Sequence, residues 1–222
     1  GRCRPVPARL SARPMALGRT AQQQLAQIQA GLSRAPAQRL QTERRAVVAC
    51  LLRSRPPVSP LLWSPDSLDV FFILRASAED RIAAQRAVGN RRWSGQVGFP
   101  GGHTMAGETD HEAVARECQE EVGLSLNSPG AYRFLGCVRE RKASSKLAVA
   151  CRVYEQVVPE TPSHLQAGEV AACGWAPLSA LLGRCAEPLR WSALVGGAGS
   201  AWDGFPSVPL PVADLQVAEG VP

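Results

Sequence analysis

The sequence lacks any long run of apolar residues, and lysine is almost absent. Arg, Gln, Pro or Glu interrupts every hydrophobic stretch before it reaches the roughly 20 residues that a membrane-spanning helix needs. We therefore expect a protein that is not integral to a membrane. Only Lys142 and Lys146 are lysines, so arginine supplies most of the positive charge behind the formal net charge of +6. That charge favours an anionic partner, either RNA or anionic metabolites, without choosing between them.

Metal-binding patterns of cysteine and histidine are also missing. The seven cysteines are widely spread and form no C-x-x-C pair, which disfavours zinc and thiol redox chemistry. Free thiols in a reducing compartment fit this spacing best. The three histidines, His103, His111 and His164, show no metal-ligand spacing, and we interpret them as surface or hydrogen-bonded side chains.

Acidic residues are absent from the first 42 positions, where seven arginines are scattered among Pro, Ala, Ser and Gln. This composition is typical of an organellar transit peptide or of the mature arm behind one, and equally of a basic disordered tail. We predict a mitochondrial protein on the matrix side. Leu25, Ile28 and Leu32 recur at helical spacing, so residues 20–33 are predicted to form a short amphipathic helix.

From Arg45 onward the pattern changes to segments with β-strand character, separated by turn residues. The predicted strands are Ala46–Leu52, Leu68–Leu74, Tyr132–Arg139, Leu147–Val158 and Glu169–Trp175, and Glu112–Val122 is predicted to be a helix. Strands with interspersed helices indicate an α/β sandwich. We divide the chain into a basic arm (residues 1–42), one domain (residues 43–205) and a proline-rich tail (residues 206–222).

Three glutamates crowd one turn of the predicted helix. Glu117, Glu120 and Glu121 stand at positions i, i+3 and i+4, so a helix places their carboxylates on one face. At about 5 Å and an effective dielectric near 20, each pair repels by roughly 3 kcal/mol. A divalent cation would relieve this repulsion, and carboxylates without Cys or His neighbours suit Mg²⁺ or Mn²⁺. A solvated charged helix face is the alternative, but it leaves the surrounding glycines unexplained.

The residues around these glutamates suggest a loop, a helix and a second loop. Gly101 and Gly102 permit a loop whose backbone can approach a metal ion, and Gly123 can end the helix. Glu108 can pair with Arg116 and brace the loop on the helix.

The segment from Gly102 to Leu124 resembles the Nudix box, G-x5-E-x7-R-E-U-x-E-E-x-G-U, at every specified position. The resemblance implies the Nudix fold, an α/β/α sandwich with a mixed β-sheet, and hydrolysis of a nucleoside-diphosphate-linked substrate with Mg²⁺ or Mn²⁺. The metal ligands it implies are Glu117 and Glu121, supported by Glu120 and completed by the Gly102 carbonyl. It also implies a catalytic group of Glu117, Glu120 and Arg116. The general base stays open between Glu117, Glu120 and a carboxylate outside the box such as Glu169.

Two further segments resemble the signature of the coenzyme A diphosphatases, namely Phe71–Ala76 and the R-x3-G-x3-F-P-G-G pattern of Arg91–Gly102. The resemblance implies cleavage of coenzyme A or an acyl-CoA to 3′,5′-ADP and (acyl)phosphopantetheine. The substrate-binding candidates are Arg75, Arg91, Phe99 and Glu169. The sequence departs from the signature in the extra run Ser77–Asn90 between its halves, and in prolines beyond Trp202 that forbid a long closing helix.

A hypothesis of another class is a Nudix-fold structural subunit of a large mitochondrial assembly, a ribosome or respiratory complex, with secondary activity. Neither the arm nor the tail has enough apolar surface to offset the entropy of ordering it, so a partner would have to hold both. An RNA-binding module ranks third, because it depends on net charge and lacks aromatic residues interleaved on a basic face.

Overall fold

The computed structural model describes residues 20–34, 37–55, 68–76, 95–178, 181 and 213–217. The elements whose bounds it gives are, in chain order, α1 (Ala21–Arg34), β1 (Arg44–Ser54), β2 (Leu68–Arg75), β3 (Val97–Gly98), β4 (Gly101–His103), α2 (Asp110–Val122), β5 (Tyr132–Lys142), β6 (Leu147–Gln156), β7 (Val170–Pro177) and β8 (Ala213–Val217). Within these ranges no helix has the length and apolarity that a bilayer crossing requires.

The strands form one mixed sheet in the order β5-β6-β1-β2-β7-β8. β1 runs parallel to β6 over ten residue pairs, whereas the other pairs are antiparallel. The two short strands extend this sheet, since β3 pairs with β2 and β4 pairs with β1. The glycine-rich turn Phe99–Gly102 is thereby fixed to the centre of the sheet through backbone hydrogen bonds.

The sheet separates two hydrophobic cores because successive side chains of a strand point to opposite faces. On β1, Val47, Ala49 and Leu51 pack in the core that contains α2, while Leu52 packs in the core that contains Leu25 of α1. With α2 against one face and α1 against the other, the architecture is an α/β/α sandwich with a mixed sheet. The predicted fold class is confirmed.

Helix α2 has well-defined signals at both ends. Thr109 accepts a hydrogen bond from the Glu112 amide and Glu112 accepts one from the Thr109 amide, which together form a capping box. At the other end Gly123 adopts φ 68° and its amide bonds the last turn, a conformation that favours glycine. The buried apolar residues between these caps are Ala113, Val114, Ala115, Cys118 and Val122.

Helix α1 lies within the segment predicted as an arm, yet it packs against the sheet. Leu25 is 1% exposed. A Cβ on Gly136 of β5 would lie 2.8 Å from Leu32 Cβ, so glycine at this position allows α1 to pack closely against β5. In the segment predicted as a tail, β8 pairs with β7. The boundaries at residues 42 and 205 stay predictions.

Candidate active site

The three glutamates of α2 lie at different depths. The Glu121 side chain is 1% exposed, Glu117 is 15% exposed and Glu120 is 50% exposed. They therefore form a gradient from the core to solvent. Glu121 is surrounded by protein groups, whereas Glu120 can be reached from solvent.

Glu121 faces the glycine-rich turn on β4. Its Oε2 accepts a hydrogen bond from the Gly101 amide at 2.7 Å, and Arg75 Nη1 lies 3.5 Å from its Oε1. Arg75 Nη2 also donates to the Gly101 carbonyl at 2.8 Å. Burial nevertheless dominates and raises the pKa of Glu121 to about 7. One arginine and one amide thus only partly compensate the buried carboxylate.

Arg116 connects the loop before α2 to two of the glutamates. Its Nε and Nη2 donate to Glu108 at 2.8 and 3.1 Å, which is the predicted brace. Its Nη1 lies 2.9 Å from Glu117 Oε1 and 3.2 Å from Glu120 Oε2, and Nη2 donates to the His103 carbonyl at 3.2 Å. The sequence argument assigned relief of the carboxylate repulsion to a metal ion alone. That was incomplete, because Arg116 is itself a counter-ion.

Gly102 lies directly against the Glu117 carboxylate. A Cβ at this position would lie 2.5 Å from Glu117 Oε1 and 2.7 Å from Oε2. No real side chain fits at that separation, so glycine permits this approach of the β4 backbone to the helix. The contact brings the Gly102 peptide beside a predicted metal ligand.

Glu169, which precedes β7, adds a fourth glutamate to the three of α2. Burial is the main cause of the raised pKa of Glu117, but the charges of Glu120 and Glu169 raise it further. Glu117 and Glu169 likewise raise the pKa of Glu121. The Glu169 backbone is fixed by a hydrogen bond from the Ala76 amide to its carbonyl at 2.8 Å. The structure therefore brings Glu169 into electrostatic contact with the two predicted ligands.

The sequence analysis missed the loop of residues 163–166, which holds the C-terminal end of α2. The contacts are Ser163 Oγ to Gly123 O at 3.2 Å, His164 Nε2 to Glu120 O at 3.2 Å, and Gln166 N to Glu121 O at 2.9 Å. These carbonyls have no partner within the helix, and the loop satisfies them. No local sequence signal identifies a partner that lies more than 40 residues away.

Another substrate-binding candidate, Phe99, lies away from the glutamates. Phe99 stacks on Phe72 with ring centroids 5.1 Å apart, in the core that contains α1. It positions the turn from the face of the sheet opposite to α2, and its contact with substrate stays a prediction. Arg91 lies outside the described residues.

The donor set fits a hard divalent cation. Carboxylate oxygens lie where the Gly102 backbone meets Glu117. Burial raises the pKa of the nearby Cys118 thiol, which disfavours the thiolate that softer metals require. Among the residues that the structure describes, however, no three Cys, His, Asp or Glu side chains converge closely enough to hold a metal as they stand. The physical reason is that Arg116 engages Glu117 and Glu120 while Gly101 and Arg75 engage Glu121. Release of Glu117 from Arg116 would free it for a cation.

The buried Glu121 carboxyl should make the stability of the metal-free protein depend on pH. Its pKa rises from an ordinary value of 4.5 to about 7 in the folded state, so between these values the folded protein binds one more proton than the unfolded chain. The free energy of unfolding therefore falls as pH rises through this window, by roughly 3 kcal/mol from this group. Urea unfolding in EDTA at pH 4.5 and pH 7.5 measures the fall.

The matched variant is Glu121→Gln, which cannot ionise and should lose this part of the pH dependence. An equal fall in both proteins would show that Glu121 is not the responsible group. Saturating Mg²⁺ should reduce the fall in the unaltered protein, because a bound cation favours the ionised carboxylate.

An acidic helix held against a glycine-rich loop at the centre of an α/β/α sandwich defines a site for diphosphate chemistry. The family profile of the NUDIX domain matches residues 66–194. The chain belongs to the NUDIX domain family. Hydrolases of this family act on diphosphate bonds of small nucleotide substrates and generally use divalent metals such as Mg²⁺ or Mn²⁺.

Similar proteins include an RNA pyrophosphohydrolase of Alkalilimnicola ehrlichii, 37% identical over 67 residues. The match covers 30% of this chain and about a third, 33%, of that relative's length. Similar solved structures include the Ap4A hydrolase of C. elegans (TM-score 0.42, 14% identity, 63% of this chain, 84% of that one) and a MutT protein of Methanosarcina mazei (TM-score 0.42, 21% identity, 66% and 86%). These two likenesses carry no information on the substrate of this chain.

Proposed function

We propose that this protein hydrolyses coenzyme A or an acyl-CoA to 3′,5′-ADP and (acyl)phosphopantetheine. The observation behind the proposal is that the two segments resembling the coenzyme A diphosphatase signature meet in space. Arg75 from the first half donates to the Gly101 carbonyl in the second half at 2.8 Å. β2 and β3 also pair, with Ile73 opposite Gly98. The extra run Ser77–Asn90 therefore leaves the two halves adjacent.

In this proposal Glu117 and Glu121 hold Mg²⁺ or Mn²⁺, with Glu120 in support and the Gly102 carbonyl as a further ligand. A cation held there would supply positive charge against the diphosphate and would make a nearby water more acidic. Arg116 orients Glu117 and Glu120 from the side of the loop. Glu169 is a candidate for the general base because its charge acts on both Glu117 and Glu121. Glu117 and Glu120 are the alternatives.

The test is product analysis with purified protein, Mg²⁺ and a panel of substrates. The panel contains coenzyme A, an acyl-CoA, ADP-ribose, diadenosine tetraphosphate and a short 5′-triphosphorylated RNA. We expect 3′,5′-ADP and phosphopantetheine from coenzyme A, detected by mass spectrometry, with the highest kcat/KM of the set. Efficient cleavage of another substrate, with coenzyme A left intact, would overturn the substrate while retaining the reaction class.

RNA with a 5′-polyphosphate is the second candidate substrate. The similarity to an RNA pyrophosphohydrolase motivates it, as does one surface feature of β5. Phe134 of β5 is 44% exposed, and Arg152 of the neighbouring strand β6 lies over its ring at 4.2 Å. β5 also exposes Arg139 and Arg141. An exposed aromatic side chain thus does contact a basic residue, which the sequence analysis had not found.

We also propose that the protein acts in the mitochondrial matrix, on the basis of the acid-free composition of residues 1–42. If it is a subunit of a large assembly there, it should sediment with that particle. A free enzyme would migrate near its own mass of 23.7 kDa. Gradient sedimentation of mitochondrial lysate, probed with an antibody against this chain, separates these outcomes.

A further inference from the structure

A basic cavity adjoins the loop before α2. It has a volume of about 410 Å³ and is lined by residues 39–45, which lead into β1, and by residues 103–106, which follow the glycine-rich turn. We call it the Arg44 pocket. It lies outside the carboxylate cluster, and none of the residues that resemble the Nudix box ligands lines it.

The cations in the Arg44 pocket differ in how far acids compensate them. Arg45 is engaged, because its Nη2 lies 2.6 Å from Asp110 and it also binds Glu140. Arg39 lies near enough to Asp110 for its charge to lower the pKa of that carboxyl, whereas Arg44 forms no ion pair with any acid in the described part of the chain. The acid that lines the pocket, Glu43, lies 3.2 Å from Lys146. The pocket therefore presents uncompensated positive charge.

A short chain of contacts leads from the pocket to the glutamates. Arg44 Nη2 lies 2.9 Å from His103 Nε2, the His103 carbonyl accepts from Arg116 at 3.2 Å, and Arg116 lies 2.9 Å from Glu117. Because a guanidinium group can only donate, His103 Nε2 is the acceptor of the Arg44 hydrogen bond. A single residue, His103, thus separates the pocket from the side chain that orients Glu117.

We propose that the Arg44 pocket binds a phosphate on the ribose 3′-oxygen of the nucleotide whose 5′-diphosphate is cleaved. The inference rests on the proposed function and specifies its substrate class. Such a phosphate lies one ribose away from the scissile diphosphate, and the pocket is connected to the glutamates through His103 and Arg116. Arginine suits it, because the planar guanidinium donates paired hydrogen bonds to phosphate oxygens. Coenzyme A carries this phosphate as a monoester, and RNA carries it as its first phosphodiester.

The experiment compares coenzyme A with dephospho-coenzyme A, which differ only in the 3′-phosphate. We expect Arg44→Gln to raise KM for coenzyme A about tenfold, with kcat and the KM for dephospho-coenzyme A nearly unchanged. Arg34→Gln is the matched control: it removes the same charge from an exposed position at the end of α1 that does not line the pocket. It should leave both substrates unaffected.

A second pair of substrates identifies the source of the phosphate. A 5′-triphosphorylated dinucleotide and the corresponding nucleoside triphosphate differ in the phosphodiester that follows the first ribose. If Arg44→Gln raises KM for the dinucleotide and leaves KM for coenzyme A unchanged, the pocket binds the phosphodiester of RNA. If it raises KM for coenzyme A alone, the pocket binds the phosphate monoester.

Equal changes for both members of every pair would overturn the proposal, because Arg44 would then act through His103 and Arg116. Unchanged kinetics for all four substrates would also overturn it. If the unaltered protein cleaves none of them, the proposed function fails, and calorimetry with 3′,5′-ADP and 5′-AMP tests the pocket separately. If the unaltered protein binds 3′,5′-ADP more tightly than 5′-AMP and Arg44→Gln abolishes this difference, the proposed phosphate site is supported. Equal affinity of the unaltered protein for both nucleotides refutes it.

Discussion

Replacement of Glu121 with glutamine is expected to lower kcat for diphosphate hydrolysis by about 10³-fold. The amide keeps the shape of the side chain and can still accept the hydrogen bond from the Gly101 amide, so the fold should persist. What is lost is the negative charge that a divalent cation requires, and loss of one such electrostatic contact costs about 10²- to 10³-fold in kcat. Steady-state kinetics with saturating Mg²⁺ measure the effect.

The matched comparison is Glu120→Gln, which makes the same chemical change on the same helix. Because Glu120 is half exposed and already shares Arg116, its loss should cost only about tenfold, a small part of the effect expected at a buried ligand. Similar losses for the two variants would contradict the assignment of Glu121 as a principal ligand and Glu120 as a supporting group. Melting temperatures of both variants show whether either has lost its fold.

Replacement of Gly102 with alanine is expected to reduce kcat/KM by about 100-fold. The added Cβ would lie 2.5 Å from Glu117 Oε1, so either the β4 backbone or the carboxylate has to move by a substantial part of an ångström. Displacement of a reacting group by about 1 Å can cost 10²-fold in rate. Activity with Mg²⁺, together with Mn²⁺ affinity by calorimetry, reports the damage to the site.

Gly98→Ala is the control, because a Cβ on Gly98 would meet no atom within 4 Å. Gly98 belongs to the short strand β3 next to the same turn, so the two variants differ mainly in their distance from Glu117. We expect Gly98→Ala to retain activity within a factor of two or so. If both variants behave alike, close approach of Gly102 to Glu117 has no special importance for catalysis.

The local signals of the sequence predicted the local structure well. The predicted helix Glu112–Val122 corresponds to α2, and the predicted helix over residues 20–33 corresponds to α1. All five predicted strands occur as β1, β2, β5, β6 and β7, with ends shifted by a few residues. Periodicity and caps depend on neighbours within about one helical turn, so they can be recognised in a single sequence. Thr109 and Glu112 formed a recognisable capping signal that the sequence analysis did not use.

The missed strands depend on distant partners. Gly101 and Gly102 of β4 were predicted to lie in a loop, and Val97–Gly98 of β3 was not predicted as a strand. Both are strands because β1 and β2 offer them hydrogen bonds. β8 lies in the segment predicted as a proline-rich tail, and it is a strand because β7 has a free edge there. Two or three residues carry too little pattern of their own to predict such pairing.

The sequence by itself determined which residues carry the chemistry: glutamates on one helical turn, glycines before and after them, and an arginine that braces the loop. Only the tertiary structure decided how deeply each carboxylate is buried and which groups oppose it. Gly101, Arg75 and Gln166 reach Glu121 from 20, 46 and 45 residues away along the chain. Such contacts follow from strand register and loop packing, which depend on the whole chain, and they fix the pKa of Glu121 and the position of the Arg44 pocket.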